Sequence, residues 1–297
     1  MTVNFQGVMP AITTPFKPDL NVDHEALNRN VQWLAGAGCT GIVPCGSLGE
    51  GATLSLEEKL AVIETVAMAV DLPVIPGIAA LSTAEAVKLA KGAEARGARA
   101  LMVLPPYVYS SDWREMKAHM AAVLKATRLP CIIYNNPVAY KTDFKPEQIL
   151  ELANEFENVQ AVKESSTDVR RITAIKALAG NRLKLGVGVD DVLVEGVAAG
   201  AEFWIAGLVD ALPQESVRLF ELARDGRHAE AAALYAWFLP LLRLDTVPKF
   251  VQLIKLVQEK LDVGHRRVRP PRLELVGAEL AEAEAVIAHA LATRPAL

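Results

Sequence analysis

Short apolar runs and longer segments of helical period alternate along the chain from residue 7 to about residue 225. The runs are GVMPAIT (7–13), GIVPC (41–45), PVIPGI (73–78), RALMVL (99–104), PCIIYN (130–135), VQAVKE (159–164), LKLGVG (183–188) and EFWIAG (202–207). Runs of this length bounded by turn residues predict buried strands. Between them apolar positions recur every three to four residues, as in DHEALNRNVQWLAGAG (23–38), SLEEKLAVIETVAMAV (55–70) and TAEAVKLAKGAEARG (83–97), which predicts helices. The third begins at an N-cap on Ser82 or Thr83 and stops at Gly97. Eight strand–helix units in strict alternation predict a parallel sheet covered by helices, closed as an α/β (β/α)8 TIM barrel. The alternative is an open doubly wound sheet. No Gly-x-Gly-x-x-Gly turn follows the first run, which argues against a dinucleotide-binding version of it.

Beyond the barrel the pattern changes. RHAEAAALYAWFLPLLRL, TVPKFVQLIKLVQEKL and LAEAEAVIAHALAT carry helical signals only. They predict a catalytic barrel over 1–226 and a C-terminal helical appendix over 227–297, with Pro248 near a helix start and RVRPPRLEL as an extended connector.

A net charge of −4 provides no broad basic field, so neither nucleic acid nor an anionic membrane surface is expected as a partner. Hydrophobic residues at 52% and charged residues at 22% suit a globular protein with a large core. No run of about eighteen apolar residues is present to span a membrane, and MTVNFQGVMPAITTPF lacks the form of a signal peptide. The three cysteines, Cys39, Cys45 and Cys131, lack metal-ligand spacing and read as buried apolar residues of a reducing compartment. The expected location is cytoplasmic, and no metal is expected.

In such barrels chemistry sits at the C-terminal ends of the strands. Lys163 ends the sixth run, on the same face as Val159 and Ala161. A lysine desolvated in a barrel mouth loses basicity and becomes a nucleophile toward carbonyls. At a strand terminus it can equally reach out to water, and position alone leaves both readings open. Tyr134 ends the neighbouring run and can move a proton as general acid or base; in isolation it reads equally as a core tyrosine. CGSLGE (45–50) follows the second run. Its glycines suggest a tight turn whose free amides at Gly46, Ser47 and Leu48 can form a nest for a carboxylate, although in isolation such a turn reads more readily as a plain turn.

These three strand ends together resemble the dihydrodipicolinate synthase/N-acetylneuraminate lyase family of class I aldolase-like enzymes. GVMPAITTPF, YNNP and VKES carry the likeness further, over essentially the whole chain. The resemblance implies a Schiff base between Lys163 and a 2-oxo acid, with no cofactor, because the iminium itself is the electron sink. It implies proton relay by Tyr134, carboxylate binding at Ser47 and Leu48, and closure over the keto acid at Ile205. It also implies a homotetramer.

Three positions depart from the synthase pattern. Ala139 stands where an arginine binds the second substrate's carboxylate, Val108 replaces the second relay tyrosine, and Leu48 replaces a second hydroxyl. Tyr107 or Tyr109 is then left to reach the site. These departures argue against synthase activity, and Leu48 also argues against sialic acid. GSLGE, YNNPVAY and KESSTDVRRIT look most like a 1-pyrroline-4-hydroxy-2-carboxylate deaminase, which releases ammonia and 2-oxoglutarate semialdehyde. The alternatives are a 2-keto-3-deoxy sugar-acid aldolase or dehydratase, a pyruvate-dependent aldolase, and a non-catalytic keto-acid-binding regulator.

Overall fold

The computed structural model describes residues 3–107, 109 and 112–296; Val108 lies outside them. Seven parallel strands are formed among these residues: β1 (Gly7–Pro10), β2 (Gly77–Ile78), β3 (Leu101–Val103), β4 (Cys131–Asn135), β5 (Val159–Glu164), β6 (Lys184–Val187) and β7 (Phe203–Ala206). Their order in the sheet is β1-β7-β6-β5-β4-β3-β2. The gap between β1 and β2 is crossed by residues 42–43, through parallel bridges from Ala11 to Val43 and from Ile42 to Val74. Backbone hydrogen bonds run with them, Val43 to Pro10 and Ile75 to Ile42. The ring of strands is thus that of a (β/α)8 barrel.

The expected second strand at 41–45 is therefore reduced to two bridges, and the third shortens from 73–78 to Gly77–Ile78. The cause is proline. Pro44, Pro73 and Pro76 have no N–H to give, so the ladder cannot run unbroken through either segment.

The helices begin where their caps place them. Asp23 caps His24–Gly36, Ser55 forms a capping box with Glu58, and Ser82 accepts from the Glu85 amide at 3.2 Å. After Thr83–Ala95 the chain turns at Gly97 with φ 92°.

The C-terminal part forms three helices, His228–Leu242, Phe250–Lys260 and Gly277–Ala292. In the second, every residue from Val251 to Gln258 is buried, polar ones included. Among the described residues no helix is long and apolar enough to cross a membrane.

Candidate active site

β4 and β5 pair in register so that Tyr134 lies beside Lys163, and β6 sets Gly186 on the other side of Lys163. Paired residues of a sheet point the same way, and their neighbours in sequence the opposite way. Accordingly Asn135 and Glu164 form a separate buried contact, Asn135 Nδ2 donating to Glu164 Oε2 at 3.0 Å. Lys163 is 5% exposed, and its Nζ sits 4.3 Å from the centroid of the Tyr134 ring.

Room for that side chain comes from Gly188, where any Cβ would overlap Lys163 Cε and Ser165 Oγ. Burial lowers the Lys163 pKa to about 8, while the nearby Asp245 and Asp190 carboxylates oppose the fall. An amine so held is partly neutral near physiological pH and can attack an electrophilic carbon. Burial pushes the Tyr134 phenol up to about 12, so it is present as a proton donor. Its oxygen accepts from Asn136 Nδ2 at 3.0 Å.

The 45–50 turn is built differently from the expectation. Its left-handed residues are Cys45 (φ 60°) and Glu50 (φ 53°), not glycines. The glycines serve close approach instead. A Cβ on Gly49 would stand 2.8 Å from the Ile12 carbonyl, and one on Gly51 would overlap the Cys45 carbonyl, whereas Gly46 has room. Among the described residues the amides of Ser47 and Leu48 donate to no backbone carbonyl, as in a turn that can receive an anion. Glu50 locks the turn from below. Its Oε1 accepts from Lys255 Nζ at 2.6 Å and its Oε2 from the Arg269 amide at 2.9 Å.

Tyr140 was not among the expected site residues, yet it closes the mouth. Asn136 caps the one-turn helix Pro137–Tyr140, with Pro137 at its first position, and the chain leaves it through left-handed Lys141. The turn carries the Tyr140 hydroxyl onto Ser47 Oγ in a hydrogen bond. Its ring stands edge-on to Tyr134 at 5.9 Å and tilted to Tyr107 at 5.6 Å. The same turn leaves Ala139 exposed, with its amide on the Asn136 side chain. Lys163, Tyr134 and Ser47 are thus gathered with Tyr140, and Tyr107 joins through its ring only. Tyr109 is exposed. Leu48 is buried, and Ile205 is fully buried in β7 in register with Met9.

Two acids complete the site. Asp190, after β6, accepts from the amides of Gly207 and Leu208, the latter at 2.8 Å. Burial raises its pKa to about 6 against the pull of those amides. Asp245 arrives from the C-terminal helical part, in the short turn Arg243–Asp245, and fits against Gly207 just past β7. No strand pattern announces it; its only sequence signal is an acid at the end of the largely apolar segment FLPLLRLD.

A (β/α)8 barrel whose mouth holds a buried amine, a phenol and a turn with unpaired amides defines an enzyme of the class I, Schiff-base lysine type, which uses no external cofactor. The chain belongs to the dihydrodipicolinate synthetase family, whose sequence profile matches residues 4–290. A 4-hydroxy-tetrahydrodipicolinate synthase of Methanothrix thermoacetophila is 34% identical over 248 residues, 82% of this chain and 84% of that protein. The solved dihydrodipicolinate synthase of Aquifex aeolicus superposes with a TM-score of 0.91 at 29% identity, over 97% of both chains. That of Acinetobacter baumannii, solved in complex with pyruvate, gives 0.90 at 27% identity over 97% and 99%.

Proposed function

We propose that this enzyme is a lyase acting on a 2-oxo acid of pyruvate size. The substrate carboxylate lies on the amides of Ser47 and Leu48, and Lys163 attacks its keto carbon. The observation that carries the reading is the burial of the Lys163 amine over the Tyr134 ring. The pyruvate complex of the Acinetobacter relative supports it. Once the iminium forms, it withdraws electrons from the adjacent carbon, so a proton or a carbon substituent there can leave or join. Tyr134, and Tyr140 whose hydroxyl is hydrogen-bonded to Ser47 and whose ring stands edge-on to Tyr134, are the groups that can carry that proton. A homotetramer belongs to the same reading, as the family resemblance implies, and a cytoplasmic location is the expectation from the unpaired cysteines.

The names of the relatives favour formation of 4-hydroxy-tetrahydrodipicolinate as the reaction, in which pyruvate condenses with a four-carbon amino-acid aldehyde. One observation favours a second reading, deamination of 1-pyrroline-4-hydroxy-2-carboxylate. The short helix after Tyr134 offers exposed Ala139, not an arginine, to a second carboxylate, and its Tyr140 fills the space beside Ser47. The two separate by product. Ammonia released from the pyrroline identifies the deaminase, and 4-hydroxy-tetrahydrodipicolinate formed from pyruvate together with that aldehyde identifies the synthase. Either activity should fall by roughly 10³-fold or more in Lys163→Ala. Full activity in that variant would refute the assignment of the lysine.

A further inference from the structure

A tyrosine hydroxyl has a single proton to give, and its partners decide where that proton points. Tyr134 is buried, yet its oxygen receives where a core tyrosine commonly donates: Asn136 Nδ2 gives it a hydrogen bond at 3.0 Å. The orientation of that amide is fixed independently. As the N-cap of Pro137–Tyr140, Asn136 uses its Oδ1 to accept from the Ala139 amide at 3.0 Å. Its oxygen is thus committed to the backbone, and only its nitrogen can face the phenol. A side-chain amide nitrogen donates and cannot accept. The Tyr134 proton is therefore kept off Asn136, and among the described residues no acceptor in hydrogen-bond geometry takes it. The Ser165 hydroxyl beside it is buried and likewise unpartnered. Lys163 Nζ lies over the same ring.

We propose that Asn136 is the positioning residue for Tyr134, its amide holding the phenol with the proton turned toward the substrate on Lys163. The inference rests on the reading of Tyr134 as a proton carrier. In the step concerned, the phenol gives its proton to the carbon next to the imine, which is then in its enamine form. The O–H bond breaks, a C–H bond forms, the enamine becomes an iminium, and Tyr134 is left as a phenolate. The Asn136 N–H stays on that oxygen and binds it more strongly than before, because a charged acceptor makes the stronger hydrogen bond. The reverse step removes a proton from the same carbon. An aspartate would cap the short helix as well, but it would accept the phenol's proton instead of leaving it free. Asparagine serves both ends.

The test is exchange of the methyl hydrogens of pyruvate with D2O, followed by proton NMR with the full-length enzyme. This exchange passes through the iminium and enamine and needs no second substrate. Asn136→Asp and Asn136→Ser both keep a capping oxygen and remove the donor. Each is expected to slow exchange on the order of 10²-fold, while thermal unfolding and the amount of borohydride-trapped adduct at saturating pyruvate stay as in wild type. In a Tyr134→Phe background, Asn136→Ser is expected to cost nothing more, because the residue acts through the phenol. A purely structural role would add its cost in both backgrounds. Wild-type exchange in either variant would overturn the proposal, as would equal loss of exchange and adduct, or a further loss on top of Tyr134→Phe. If Asn136→Asp does not fold, Asn136→Ser decides. Wild-type exchange in Tyr134→Phe would instead overturn the reading of Tyr134 as proton carrier, and this inference with it. Absence of any adduct in the wild type would overturn the Schiff-base reading itself.

Discussion

Among the described residues two lysines are buried, Lys163 and Lys255, and they differ as a structural amine does from one left free to react. Lys255 gives all three of its protons away, to Glu50, to the Thr14 carbonyl at 2.8 Å and to the Arg267 carbonyl at 2.7 Å. Lys163 has an aromatic face beneath it and two acids nearby, but no hydrogen bond to a described residue. Burial lowers both pKa values, and in Lys163 nothing ties the nitrogen down once it is neutral. The attacking species is the free amine, so adduct formation with pyruvate should rise with pH through about 8 and then level. A flat profile from pH 6 to 9 would show that the lysine titrates elsewhere. Tyr140 is the residue whose role is least secured by resemblance. Tyr140→Phe removes the hydroxyl on Ser47 but keeps the ring against Tyr134. Turnover should fall on the order of 10²-fold while the saturating amount of trapped adduct stays constant, if the hydroxyl relays protons. Equal loss of adduct and turnover would make it a binding group.

The elements that matter most are the 45–50 turn and the helix Phe250–Lys260 behind it. Lys255 reaches from that helix into the turn, and Thr14 Oγ1 ties the first strand end to the Gly49 carbonyl at 2.6 Å. Lys255→Met leaves the buried Glu50 carboxylate without its cation, and should cost about 3–5 kcal/mol in urea unfolding. The loosened turn should also raise the KM for the keto acid. Stability and KM within error of wild type would show that the Arg269 amide alone holds Glu50. Much of this architecture is legible in the chain. Lys163 and Tyr134 follow from period-2 alternation, because a strand end fixes where its side chains point. Ser82 and Gly97 mark a helix through local capping chemistry. The second strand is overcalled because apolar run length does not register that Pro44 and its neighbour Pro73 lack amides. Tyr140 escapes notice because a single helical turn after Asn136-Pro137 decides its direction. Asp245 escapes for a different reason. It comes to the mouth by tertiary packing of a helical segment onto the barrel, which no local pattern records.

At the scale of the whole molecule, barrel and C-terminal helices share one set of buried groups. Gln258 donates to Asp210 Oδ2 at 3.0 Å, and Asp210 in turn accepts from the Thr13 amide at 2.7 Å. Arg269 pairs with Glu58 at the head of a barrel helix and stacks on Phe16. A chain ending at residue 226 would leave Glu50 and Asp210 buried without these partners, so we expect it to show no cooperative unfolding by circular dichroism. A cooperative transition in that fragment would mean the barrel folds alone and the helices only furnish the site. Either way, the proposed reaction depends on one nitrogen at the mouth. The most direct measurement is to incubate the intact enzyme with pyruvate, reduce with borohydride, digest, and locate the modified peptide by mass. A single adduct on Lys163, absent from Lys163→Ala, is the expected result. No adduct, or an adduct on another lysine with Lys163 unmodified, would contradict it.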